Sequence, residues 1–143
     1  MNGNLSFALH RLAARLDRSA DRILQAEAGL TYRRFLALVV VGELGQTTQR
    51  ALAEALDVSE PSVSRMVGVL EEAGLVEVAH APDGGNKRQV ALTPDGKHAV
   101  TRSRELLEQR FAGLVERSGV PYARYARDTQ RLIDALDETE TAP

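Results

Sequence analysis

The run Ser59-Glu60-Pro61-Ser62-Val63-Ser64-Arg65 gathers small hydroxyls, one carboxylate and one guanidinium within two helical turns. An arginine can donate two parallel hydrogen bonds to a guanine edge, and serine hydroxyls reach bases or phosphates. A second polar cluster, Asn86-Lys87-Arg88, follows Gly84-Gly85. Two cations on a short glycine-rich loop suit phosphate or minor-groove contact. Thr48 and Gln49 open another helix and add two phosphate-reaching groups. Each of these residues also has a plainer reading. Ser59 and Thr48 are N-caps first. Arg65 could pair with Glu60 or Glu72 on a solvated surface. Gly84-Gly85 is ordinary hairpin-tip chemistry.

Other chemistries lack their residues. The chain has no cysteine, which removes disulfides, thiolate metal sites and thiol redox switches together. His10, His80 and His98 fall in different elements without metal-ligand spacing. No GxSxG, phosphate-loop or GxGxxG motif occurs. The sequence therefore reads as a non-enzyme with no cofactor and no metal.

The elements that must position these groups are mostly helical. Leu5 to Ala28 reads as one long helix, with Leu5, Leu9, Leu12 and Leu16 at three- or four-residue steps. Arg11, Arg15, Arg18 and Arg22 occupy another face, interleaved with Asp17 and Asp21 and read first as a solvated, ion-paired row, with contact of any one of them to a phosphate or an effector as the lesser reading. Gly29 stops this helix and Thr31 caps the next, with Tyr32, Phe35, Leu36, Val39 and Val40 expected to face the core. The β-branched run Leu38 to Val41 also suits a strand, but the helical spacing before it favours a helix. A short helix, Gln49 to Leu56, precedes a fourth that Ser59 caps and Gly74 ends. Leu75 to Ala79 and Arg88 to Leu92 flank a dense turn signal and read as a β-hairpin. Thr93-Pro94 opens a long helix that Gly119-Val120-Pro121 breaks. A last helix runs from Tyr122 to Asp137, leaving Glu138 to Pro143 frayed.

Two short helices joined by a tight turn and followed by a hairpin are the layout of a winged helix-turn-helix. In that layout the second helix of the pair enters the major groove with its first turns against base edges. Charge complicates this. The 143 residues carry 18 Lys+Arg against 20 Asp+Glu, a net of -2, which at face value argues against nucleic acid. Residues 133–143 alone hold four acids and no cation. Residues 45–92, the segment meant to meet DNA, hold 4 cations and 7 acids. Glu60, Glu71, Glu72 and Glu77 around the fourth helix leave a second reading open, a protein–protein interaction module without DNA binding.

Residues Leu30 to Gly96 resemble the MarR family of bacterial transcriptional regulators. The resemblance rests on Gln49-Arg50-Ala51-Leu52-Ala53, Val58 to Arg65, Leu70 to Val76, Asn86-Lys87-Arg88 and Leu92-Thr93-Pro94-Asp95-Gly96. It implies a homodimer in which the terminal helices interlock, binding to a palindromic operator, and release by a small lipophilic or phenolic effector. By motif, Arg88 matches the family's wing-tip arginine. Asn86 stands where the family often has an aspartate that braces it. The stretch from Arg88 to Thr93 also looks short for the family, which suggests a trimmed second wing strand.

The expected fold class is thus mainly α with a small β-hairpin wing. One domain, 1–143, holds a winged helix-turn-helix lobe at 30–96 and a helical dimerisation region at 1–29 and 97–143. The DNA-binding set is Thr48, Gln49, Ser59, Glu60, Ser62, Ser64, Arg65, Asn86, Lys87 and Arg88. The terminal helices have little domain to pack against, so Leu5, Leu9, Leu12, Leu16, Phe111, Leu132 and Leu136 are assigned to a dimer interface. In the resembling family the effector lies between the dimer helices and the DNA-binding lobe. His10, Arg15, Tyr32 and Phe35 come from elements that would line such a space, and core or surface roles explain them equally well. No apolar run approaches a membrane span, and the N-terminus lacks the apolar region of a signal peptide. A cytoplasmic protein is expected, with double-stranded DNA, a second copy of itself and an effector as partners.

Overall fold

The computed structural model describes residues 3–80 and 88–143. Its elements are helices α1 (Leu5–Ala28), α2 (Tyr32–Leu44), α3 (Gln49–Leu56), α4 (Glu60–Glu72), α5 (Pro94–Ser118) and α6 (Tyr122–Thr141), with strands β1 (Thr47–Thr48), β2 (Val76–His80) and β3 (Arg88–Leu92). Two compact units divide the chain, one ending at Arg104 and one running from Glu105 to Pro143. The first contains α1, the winged helix-turn-helix and the start of α5.

Capping fixes the helix ends in the first unit. Asn4 accepts from the Phe7 amide at the start of α1, and Gly29 closes α1 in the left-handed region at φ 62°. Thr31, Thr48 and Ser59 cap α2, α3 and α4 through their hydroxyls. Asp57 takes a left-handed φ of 54° between α3 and α4, which makes their connection tight. The run Leu38 to Val41 is helical. Its buried face differs from the expected one: Phe35, Ala37, Leu38 and Val41 are buried, while Leu36, Val39 and Val40 are half-buried. Helical spacing constrains which residues share a face but leaves open which of two apolar stripes turns inward. Leu24 of α1, Leu52 of α3, Val63, Val67 and Leu70 of α4, Val76 of β2 and Val90 of β3 complete the core.

The sheet is larger than a hairpin. β1, two residues long, pairs antiparallel with β3, placing Thr47 opposite Val90, and the strand order is β1-β3-β2. Two residues carry too little alternation to announce a strand. β2 begins at Val76 and ends at His80, one residue beyond the expectation. β3 pairs with β2 over five positions, from Val76 opposite Leu92 to His80 opposite Arg88.

The start of α5 is stitched to the turn that ends α4. The Thr93 amide donates to the Leu75 carbonyl at 3.1 Å, and the Thr93 hydroxyl donates to the Gly74 carbonyl at 2.7 Å while accepting from the Gly96 amide at 3.0 Å. The two segments lie so close that a Cβ on Gly96 would sit 2.0 Å from the Leu75 carbonyl oxygen. The second unit contains the rest of α5 and α6, divided by Gly119 at φ 79°, and the Tyr122 hydroxyl donates to Glu108 across that break. α6 continues to Thr141, past the expected end at Asp137. The Thr139 and Thr141 hydroxyls bond to carbonyls of the preceding turn there, and Glu138 and Glu140 are good helix formers.

Two glycine substitutions separate this close approach from ordinary helix propensity. Gly96→Ala should destabilise the protein by about 1–3 kcal/mol, because backbone must move. Gly68→Ala, in α4 with open space around the added methyl, should stabilise it by about 1 kcal/mol. Urea midpoints of opposite sign relative to wild type are the expected result.

Candidate nucleic-acid interface

α4 carries the predicted contact residues on a solvated face. Glu60, Ser64 and Arg65 are exposed and Ser62 is half-buried. Ser59 does two things at the helix start. Its Oγ accepts from the Ser62 amide at 3.2 Å and donates to the Ser62 hydroxyl at 2.9 Å. Arg65 Nη2 in turn donates to Ser62 Oγ at 3.4 Å. A chain of polar groups thus runs from the cap to the guanidinium. Among the described residues Arg65 forms no ion pair within 4.0 Å, so the alternative pairing with Glu60 or Glu72 is not adopted. A guanidinium held only by one long hydrogen bond keeps most of its donors for another partner.

The remaining predicted contacts divide between α3 and the wing. Thr48 is half-buried and occupied as a cap, its Oγ1 accepting from the Ala51 amide at 3.0 Å. Gln49 is half-buried beside it, and Arg50 next to it pairs with Glu54 at 3.7 Å. Arg88 is exposed at the first position of β3, opposite His80. Asn86 and Lys87 lie outside the described residues.

Sequence reasoning missed a cleft beside α4. It has a volume of about 840 Å³ and opens between the middle of α1, the first turn of α2 and the Ser62–Val69 stretch of α4. Arg18 and Arg22 of α1, Arg33 and Arg34 of α2 and Arg65 of α4 line it, together with Asp17 and Asp21. The two carboxylates do not pair with α1 arginines as expected. Asp21 Oδ1 accepts from the Tyr32 amide at 2.9 Å and its Oδ2 from Gln25 Nε2 at 2.5 Å. Asp17 takes the Tyr32 hydroxyl. Tyr32 is thereby gripped at both its amide and its phenol, which fastens α2 to α1. One signal in the sequence pointed here. Arg33-Arg34 fall in the first turn of a helix, where the macrodipole favours acids and disfavours cations.

The four residues expected around an effector do not form one site. Tyr32 lines the cleft, and Phe35 is buried in the core with its ring centroid 6.1 Å from that of Tyr32. His10 and Arg15 are exposed on α1 outside the cleft. Of the expected interface leucines, Leu5, Leu9, Leu12, Leu132 and Leu136 are exposed, and Leu16 and Phe111 are half-buried.

The helix-turn-helix of α3 and α4 with the β2–β3 wing defines a winged helix-turn-helix protein. Residues 28–89 match the profile of the MarR family. The chain is 31% identical over 102 residues to the proposed transcriptional regulatory protein for the hcr operon of Thauera aromatica, covering 71% of this chain and 61% of that one. It is 27% identical over 112 residues to the HTH-type transcriptional repressor IacR of Pseudomonas putida, covering 76% and 66%. The chain therefore spans about two thirds or less of the length of these curated relatives. Wild-type MarR of E. coli in its apo form superimposes with a TM-score of 0.81 at 22% identity, over 92% of this chain and 96% of that one. Its winged helix-turn-helix region, residues 28–89, is of the MarR family.

The Tyr32 grip has a pH signature. Burial first, then the charge and hydrogen bond of Asp17, raise the Tyr32 phenol above its ordinary value of 10.0. The folded state therefore holds that proton more tightly than the unfolded chain. The stabilisation is complete below pH about 10 and is lost as pH climbs through the raised value. Tyr32→Phe should flatten the alkaline fall in stability, measured by urea midpoints from pH about 8 to 11.

Proposed function

We propose that this protein is a sequence-specific DNA-binding transcriptional regulator, a homodimer that represses from a palindromic operator in the cytoplasm and is released by a small lipophilic or phenolic effector. The observation that carries the reading is the exposed, cap-anchored face of α4, with Ser64 and the unpaired Arg65 on its first two turns. α4 enters the major groove, Arg65 reads a base edge, and Arg88 with Asn86 and Lys87 holds the backbone from the wing. Residues 30–96 serve as the reading lobe, and 1–29 with 97–143 as the dimerisation region. Uncovered apolar side chains support the dimer: Leu5 and Phe7 of α1 are 66% and 58% exposed, and Leu132 and Leu136 of α6 are 60% and 59% exposed. Side chains of this size are stabilised by a partner. A mutant of E. coli MarR has been solved with operator DNA, and NadR has been solved with 4-hydroxyphenylacetate. Both share this fold. Among the described residues no helix is long and apolar enough to cross a membrane.

Anisotropy titrations of duplexes from the region upstream of its own gene test the reading. Wild type should bind one palindrome tightly, with half-sites about one helical turn apart. Arg65→Ala should cost about 1–3 kcal/mol and relax preference at one base, whereas Arg88→Ala should weaken all sequences alike and reduce the salt slope by about one unit. Tight binding to no duplex at low salt would favour the protein–protein module instead. For the dimer, Leu132→Glu with Leu136→Glu should give a monomer in sedimentation equilibrium and lower operator affinity.

A further inference from the structure

The cleft beside α4 gathers five arginines and two aspartates, and both aspartates are already engaged. Asp21 is held by the Tyr32 amide and Gln25, and Asp17 by the Tyr32 phenol. Among the described residues Arg18, Arg22, Arg33, Arg34 and Arg65 form no ion pair within 4.0 Å. The cleft therefore holds five guanidinium groups against two carboxylates, an excess of positive charge on one side of the reading helix. It stands next to a segment, 45–92, with 4 cations against 7 acids. A helix-turn-helix whose own sequence repels phosphate needs cations from elsewhere to approach DNA.

We infer that the arginines of α1 and α2 in this cleft seat the operator's sugar-phosphate backbone where it flanks the groove that α4 enters. Three observations support this occupant. First, the same cleft wall includes Ser62 and Arg65, so a strand beside α4 would run directly into the cleft. Second, Arg33 and Arg34 occupy the first turn of α2, a position that costs helix stability unless an anion meets them. The Tyr32 and Arg34 amides are already bound by Asp21 and Thr31, so an anion would meet guanidinium groups rather than the helix end. Third, small-molecule pockets are enclosed, whereas this cleft lies open to solvent, and seven of its thirteen lining residues bear a charge at the end of the side chain. An extended polyanion fits an open, cation-edged trough better than a compact ligand does.

The inference rests on the DNA-binding reading and is tested separately from it. The full-length variant Arg33→Gln/Arg34→Gln is titrated, beside wild type, against the selected palindrome as a minimal duplex and as one lengthened by about 5 base pairs at each end. Salt is varied from about 50 to 200 mM. On the long duplex the double variant should show a slope of log K against log salt about two units shallower than wild type. On the minimal duplex the two proteins should converge. Melting of the double variant should be unchanged or higher, because two cations leave a helix N-terminus. A salt slope and length dependence equal to wild type overturns the backbone seat while leaving DNA reading intact. Wild type that binds no duplex overturns the regulator reading itself, and this inference with it. A slope equal to wild type, combined with loss of the response to an added aromatic carboxylate such as benzoate, assigns the cleft to a small anion and also overturns the proposal.

Discussion

The close approach of Gly96 to the Leu75 carbonyl sets the geometry of the first unit. Any side chain at 96 would hold the start of α5 away from the α4–β2 turn, because its first carbon would overlap a backbone oxygen. With glycine there, Thr93 can bond to both Gly74 and Leu75. β3 then enters the sheet in register with β2, and α4 ends in a fixed place. The solvated face of α4 that carries Ser64 and Arg65 is held by this junction at one end and by the Ser59 cap at the other. A substitution that loosens the junction therefore reaches the interface without touching it.

Charge is arranged by assignment rather than by total. Asp17 and Asp21 lie one turn apart on α1 among arginines, the pattern of a salt-bridged surface helix. They are drawn off by Tyr32, which offers an amide lacking a helical partner and a phenol, at the point where α2 begins. Satisfying an orphan donor at a partly buried helix start outweighs a surface ion pair worth a fraction of a kcal/mol. The carboxylates keep their charge, but the five cleft arginines outnumber them, and among the described residues none of the five forms an ion pair within 4.0 Å. An acidic protein thus presents a net basic wall beside α4.

Much of this was legible in the sequence. α1, α3, β3 and the starts of α2, α4 and α5 follow from caps, prolines and glycines whose effects are local, such as Thr31, Ser59 and Gly29. The face that holds Ser64 and Arg65 follows from helical period. Features set by distant contacts were not legible. β1 exists because β3 lies beside it, and two threonines alone cannot announce a strand. The inward stripe of α2 is chosen by α1 and α3. The cleft joins residues more than forty positions apart, from Asp17 to Val69, and two of its arginines, Arg18 and Arg22, look like part of a plain solvated row until Tyr32 takes up the neighbouring aspartates. Phe35 lies in the core and His10 lies exposed farther along α1, positions that depend on contacts between elements rather than on local sequence.

The two residues of β1 have a consequence for association. A strand with an unpaired ladder invites another chain to add to it. β3, which bears Arg88, is flanked by β1 on one side and β2 on the other, so its ladder is closed over Thr47 and Thr48. The sheet keeps two edges, that of the two-residue β1 and that of β2, where Glu77, Ala79 and His80 face solvent. β1 offers only two residues as a template, and the carboxylate of Glu77 discourages strand addition on β2 through like-charge repulsion. Both edges of the sheet are thereby poor templates for a further strand.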